Sequence, residues 1–127
     1  MKYVQFDPQT GEILQWGEGP KLPAGAIEHT IAGSLADYFV DTRRLWVRGK
    51  RVMTLTLPGP TPADGVAEAV VAGLPPGTRC SFVVNDAAYT VQVDDGTLEV
   101  TLHDPQRLVV RLWHPTYRHD NITLEFT

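Results

Sequence analysis

The 127-residue chain has a single cysteine, Cys80. That excludes an internal disulfide framework and any metal site built from several thiolates. Cys80 lies in the alternating run Arg79-Cys80-Ser81-Phe82-Val83-Val84, where a small buried hydrophobe is expected rather than a nucleophile. Charge is sparse as well: 20% of residues are charged, against about 25% in an average domain. The formal net charge is -4 and the 11 basic residues are scattered. A surface that tracks phosphates needs clustered Lys and Arg, so nucleic acid is not an expected partner. No apolar run approaches the ~20 residues of a membrane span. After Met1 the chain alternates and reaches Asp7 without the apolar core of a signal peptide. A soluble chain, made in a cytosol and without a membrane partner, is the expectation.

What is present is a chain of short alternating segments, punctuated by 10 prolines and 11 glycines, with 43% hydrophobic residues. Tyr3-Val4-Gln5-Phe6 alternates as a half-buried strand does. Asp7-Pro8-Gln9-Thr10-Gly11 is a turn: Asp7 can accept from backbone N–H groups, Pro8 presets φ, and Gly11 can take positive φ. Glu12 to Trp16 returns as a second strand, and residues 17–23 read as loop. Ser34 can cap a short helical turn with Asp37 as its partner. Tyr38-Phe39-Val40 then reads extended. Asp41 to Arg44 and Arg48 to Lys50 read as turns between further strands.

Residues 58–65, PGPTPADG, hold three prolines and two glycines and predict a linker. Beyond it the period is 2 throughout, with no amphipathic helix. Six short strands end at turns such as Leu74-Pro75-Pro76-Gly77, Asn85-Asp86 and Asp94-Asp95-Gly96. The expected fold is all-β. A β-hairpin or small-sheet region over 1–57, suited to docking, precedes a compact antiparallel sandwich over 66–127. So small a module gains from docking onto a partner.

Chemistry-bearing candidates are few. His114, His119 and Asp120 have metal-ligand residue types, but no third ligand follows by spacing; His103 and His29 are read as ordinary surface histidines. Ser81, His114 and Asp86 could be written as a triad, yet Ser81 falls in mid-strand without an elbow or an oxyanion segment. Gly17-Glu18-Gly19-Pro20-Lys21 lacks the context of a phosphate loop, and Asp94-Asp95-Gly96 is too short for a calcium loop. No catalytic, cofactor or metal residues are assigned, and an enzyme is not expected. Arg43, Arg44, Arg48, Lys50 and Arg51 form the one basic concentration, around Leu45-Trp46-Val47. A solvated face, an acidic protein partner and a nucleic-acid strand are all consistent with it, in that order. Trp16, Trp46 and Trp113 are candidate anchors, since tryptophan is enriched in interface hot spots. Trp113 is read first as cover of the small core. The protein-contact candidates are therefore Trp16, Arg43, Arg44, Trp46, Arg48 and Trp113.

Four stretches together resemble small tail-associated proteins of tailed bacteriophages. They are YVQFDPQTGEILQWG, YFVDTRRLWVRGKRV, the proline-rich link, and AGLPPGTRCSFVVNDAAYTVQVDDGTLEVTL closing in VRLWHPTYRHDNITLEF. In such proteins a tail-fibre- or baseplate-associated segment precedes an immunoglobulin-like β module. Tyr38, Val40 and Asp41 match the strand-and-turn pattern, Gly73, Leu74, Pro75 and Gly77 the corner entering the module, and Pro115 and Tyr117 the corner before the last strand. Two departures are the heavier basic run around Arg43 and Trp113-His114 in place of a simpler aromatic. The resemblance implies a virion component in symmetric or multicopy form, contacting other tail proteins and catalysing nothing. A carbohydrate- or host-surface-binding module is the alternative.

Overall fold

A computed structural model describes residues 1–127. The structure is all-β and divides into two compact units, Met1–Arg51 and Val52–Thr127.

The N-terminal unit begins with β1 (Lys2–Phe6) and β2 (Ile13–Glu18), joined by the Asp7 turn. The Asp7 carboxylate accepts from Gln9 N at 2.8 Å and Thr10 N at 3.3 Å, while Gly11 N donates to Asp7 O at 2.8 Å. Gly11 has φ 78°, and a Cβ there would overlap the Val40 carbonyl oxygen; Val40 N in turn donates to Gly11 O at 2.8 Å. Only glycine meets both conditions. β3 (Ala26–Glu28) adds to the far side of β1, giving the order β2-β1-β3. β2 runs on through Gly17 and Glu18, where loop is the sequence expectation. The cause is Tyr3, which pairs with Gly17 and lays its ring over it, compensating for the missing side chain.

A 3₁₀ turn, Leu35–Asp37, follows, with Ser34 Oγ accepting from Ala36 N. β4 (Tyr38–Asp41) and β5 (Trp46–Gly49) form a second hairpin. Its turn repeats the first: Asp41 Oδ1 accepts from Arg43 N and Arg44 N, Leu45 N donates to Asp41 O, and Leu45 has φ 55°. Only Val4 and Val40 are fully buried apolar side chains in this unit. The two-residue β6 (Arg51–Val52) lies at the junction.

The C-terminal unit holds β7 (Ala69–Ala72), β8 (Thr78–Val84), β9 (Ala87–Val93), β10 (Thr97–Val100), β11 (Gln106–Trp113), β12 (Tyr117–Arg118) and β13 (Ile122–Phe126). Two antiparallel sheets take up six of these strands, one of order β13-β11-β8-β9 and one pairing β7 with β10. Asn85 and Asp86, at φ 49° and 64°, make the two-residue β8–β9 turn, as a primed hairpin requires. Alternate residues of both sheets meet in one core: Ala69, Val71, Cys80, Val93, Leu98, Val100, Leu108, Val110, Ile122, Leu124 and Phe126. Burial raises the Cys80 thiol to about 11, so it stays protonated and packs as a small hydrophobe.

Residues 58–65, the stretch expected to be a linker, fall within the Val52–Thr127 unit and are hydrogen-bonded to its last strand. Thr61 N donates to Glu125 O and Ala63 N to Thr127 O, both at 2.9 Å, and Thr127 N returns to Thr61 O. Thr61 is buried and pairs in parallel with Phe126. Pro60 and Pro62 alternate with these donors, so the positions lacking N–H face away from β13. An edge strand tolerates proline in that arrangement. Just upstream, Thr56 pairs with Ala72 at the end of β7. Residues 54–63 therefore border both sheets of the unit.

Candidate functional site

The most organised exposed feature is the β4–β5 hairpin. Trp46 is paired with Asp41 and Arg48 with Phe39. Successive strand residues alternate in direction, so Trp46 and Arg48 project on the side of Asp41. The Arg44 and Arg48 guanidiniums sit over the Trp46 ring, at 5.6 and 5.7 Å from its centroid. Arg48 Nη1 lies 3.5 Å from Asp41 Oδ2, and the Trp46 indole hydrogen-bonds to the same carboxylate. Desolvation opposes ionisation of Asp41, but its hydrogen bonds from the Arg43 and Arg44 amides, Trp46 and Arg48 outweigh it. Its pKa falls below the ordinary aspartate value. One carboxylate therefore shapes the turn and orients the aromatic and one of its two cations.

Trp46 nevertheless keeps 48% of its surface exposed. Arg43, Arg44 and Arg48 are exposed with it, whereas Lys50 is half-buried. Burial lowers the Lys50 pKa, against the opposing fields of Glu12 and Asp37. Lys50 is thus less available to the basic surface than the three arginines. The patch offers a planar aromatic with fixed guanidiniums, which suits carboxylate-bearing or aromatic protein surfaces.

Trp16 is exposed at 63% on β2, across from Val4. It borders a hollow of about 430 Å³ lined also by Lys2, His29, Ile31, Ser34 and Leu35. His29 Nδ1 accepts from Ile31 N at 2.9 Å, which places the proton on Nε2. That buried Nε2 has no hydrogen-bond partner, so His29 is not the plain surface histidine of the sequence reading. Trp113 is partly buried, with the Arg79 guanidinium 4.7 Å from its ring centroid. Of the three tryptophans it has the weakest claim to a contact.

The remaining candidates serve the fold. His114 Nε2 is 2.8 Å from Pro76 O, Nδ1 accepts from Thr116 N, and its ring packs edge-on against Tyr117. These contacts lock the Trp113–Tyr117 corner. Ser81 Oγ is 3.3 Å from Thr90 Oγ1 across the strands, and Asp86 is a turn residue; neither is joined to His114 in a triad. His119 Nδ1 meets the Asp120 carbonyl. No three His, Cys, Asp or Glu side chains converge as a metal site would require.

What the sequence reading missed lies on β9. Tyr89 and Val91 pair with Phe82 and Cys80, on the core-facing side, yet remain 50% and 40% exposed. The two-stranded sheet does not extend far enough to cover them. Nothing in the alternation Tyr89-Val91-Val93 distinguishes these from buried positions; only sheet width does.

Comparison with protein-family models, with curated proteins and with solved structures returns no match for this chain.

Proposed function

We propose that the protein is a non-enzymatic structural or adaptor component of a bacteriophage particle, tail-, baseplate- or fibre-associated, that works through protein–protein contacts. The observation that carries the reading is the Trp46 patch: an exposed indole with two guanidiniums held over it and a carboxylate orienting it from below. Such aromatic and Arg side chains form hot spots at interfaces. The sequence-wide resemblance to phage tail-associated proteins supplies the particle. We further read the C-terminal unit as an immunoglobulin-like sandwich. Its support is the β13-β11-β8-β9 order facing a β7–β10 pair, with residues 54–63 bordering both.

The test is stoichiometry. The protein is expected to co-purify with assembled particles in a fixed symmetric copy number, and Trp46→Ala to lower that occupancy without unfolding the chain. Recovery only as free protein, absent from particles, defeats the virion-component reading. A second reading, carbohydrate binding, draws on exposed Trp16 beside the hollow lined by Lys2, His29 and Ser34. It predicts glycan-dependent quenching of Trp16 fluorescence that is lost in Trp16→Ala and retained in Trp46→Ala.

A further inference from the structure

Charge is divided unevenly between the two units. The N-terminal unit has seven Lys and Arg against six Asp and Glu, net +1, and the C-terminal unit four against nine, net -5. From Cys80 to Gln106 there is no Lys or Arg, while Asp86, Asp94, Asp95, Glu99 and Asp104 fall within that run. No Lys or Arg forms an ion pair with Asp94, Asp95 or Glu99; their partners are Gln92 and Thr97.

That acidic run contains an open edge. β9 is the last strand of its sheet and is itself uncharged: Ala87-Ala88-Tyr89-Thr90-Val91-Gln92-Val93. Val84 and Ala87 close a two-residue hairpin, so they form a hydrogen-bonded pair, and such pairs alternate along the ladder. The N–H and C=O groups of Ala88, Thr90 and Gln92 therefore point away from β8. None of them has a backbone partner elsewhere. Natural edges are blunted by lysine, proline or bulges, and β9 has none of these. Its uncovered Tyr89 and Val91 add an apolar strip next to the free edge.

The N-terminal unit carries the complement. β5 is also an outer strand, of the two-stranded β4–β5 sheet. Lys50 N donates to Asp37 O, so by alternation Val47 and Gly49 turn their backbone groups outward. Around that edge stand Trp46, Arg43, Arg44 and Arg48.

Building on the reading of the Trp46 patch as a protein contact, we infer that its partner is a second copy of this chain. The basic β5 edge of one copy adds to the acidic β9 edge of the next. Trp46 then covers the Tyr89–Val91 strip, and the arginines face Asp86, Asp94 and Asp95. This joins polar edge to polar edge, apolar surface to apolar surface, and positive to negative charge. The two surfaces differ, so the contact is heterologous and propagates into a ring or an extended chain.

The experiment uses full-length protein and light scattering after size exclusion, up to about 1 mM, where contacts of millimolar affinity are half-formed. The wild type is expected to self-associate, and to do so less at high salt. Arg44→Gln with Arg48→Gln, and separately Asp94→Lys with Asp95→Lys, are each expected to be monomeric, and folded by circular dichroism. Mixed, they are expected to form a 1:1 heterodimer and nothing larger, because each retains one intact, opposite edge. Thr90→Pro, which blocks an outward donor on β9 without touching the β8 ladder, is expected to match the Asp94/Asp95 variant. A monomeric wild type overturns the inference, as does an unmixed variant that still associates, or a mixture that stays monomeric. A monomeric wild type that still co-purifies with particles through Trp46 would leave the adaptor reading standing and dismiss only self-pairing.

Discussion

The two units of this chain are held together by different means. The C-terminal unit buries fourteen apolar side chains in one cluster, drawn from both of its sheets. The N-terminal unit fully buries Val4 and Val40 and relies instead on two aspartate-nucleated turns that share a geometry, at Asp7–Gly11 and Asp41–Leu45. Burial is the dominant stabilising term in folding, so the first unit is the less self-sufficient of the two. The same difference decides what is left outside. A unit without a core leaves Leu14, Trp16 and Trp46 on its surface, where they are free to contact something else.

Four substitutions break or sharpen this contrast. Leu108→Ala or Leu124→Ala removes a side chain that is 1% exposed, and a loss of about 2–5 kcal/mol is expected from transfer and cavity terms. Urea titration should show that transition moving to lower denaturant while the hydrogen exchange of β1 and β2 amides is little altered. Gly11→Ala is next, at about 1–3 kcal/mol for the left-handed backbone alone, and the overlap with the Val40 carbonyl adds to it. Its effect should appear in β1, β2 and β4 amides and spare the β8–β11 ladder. If instead the C-terminal ladder melts with it, the units are not independent.

Asp41→Asn should have a smaller effect on the fold. It keeps an acceptor for the Arg43 and Arg44 amides and discards the charge facing Arg48. The pKa of Asp41 is depressed in the folded state. Its contribution is therefore complete above the unfolded value and is lost as pH falls through the folded one, which lies below the ordinary aspartate value. Titration followed by carboxyl NMR should place Asp41 below the free-aspartate midpoint, and Trp46 fluorescence should change over the same window. Asp64, held by the Ala67 and Val66 amides, also has a lowered pKa and serves as the control whose hydrogen bonds involve no tryptophan. The smallest stability change belongs to Trp46→Ala, within about 0.5 kcal/mol as for other surface sites. Its effect on partner association should be the largest of the four.

Much of the local structure was legible. The Asp7 and Asp41 turns, the Ser34 cap, the Asn85-Asp86 hairpin and the buried alternation Ile122-Leu124-Phe126 follow from turn chemistry and a period of 2. The Pro/Gly stretch at 58–65 was not legible as a bonded edge. Proline forbids a hydrogen bond only on the side where its own N–H would point, and no sequence pattern says which side faces β13. For the site, the Arg43–Arg48 concentration and its tryptophan could be picked out by composition. That Lys50 is half-buried while its arginine neighbours are exposed, and that His29 keeps an unpartnered nitrogen, could not.

Sequence by itself therefore determined the all-β character, the Asp7, Asp41 and Asn85-Asp86 turns and the residues able to form a cationic aromatic patch, because these depend on neighbours within a few positions. The turn expected at Arg48–Lys50 is instead the end of β5, where Arg48 and Gly49 pair with Phe39 and Tyr38. Tertiary structure alone decided where one unit ends and the next begins. It also decided that Trp46 and Trp16 stay exposed while Trp113 is partly covered, and that Tyr89 and Val91 overhang an open edge. Those outcomes depend on how wide the opposing sheet is and which strand comes last, and no local pattern encodes either.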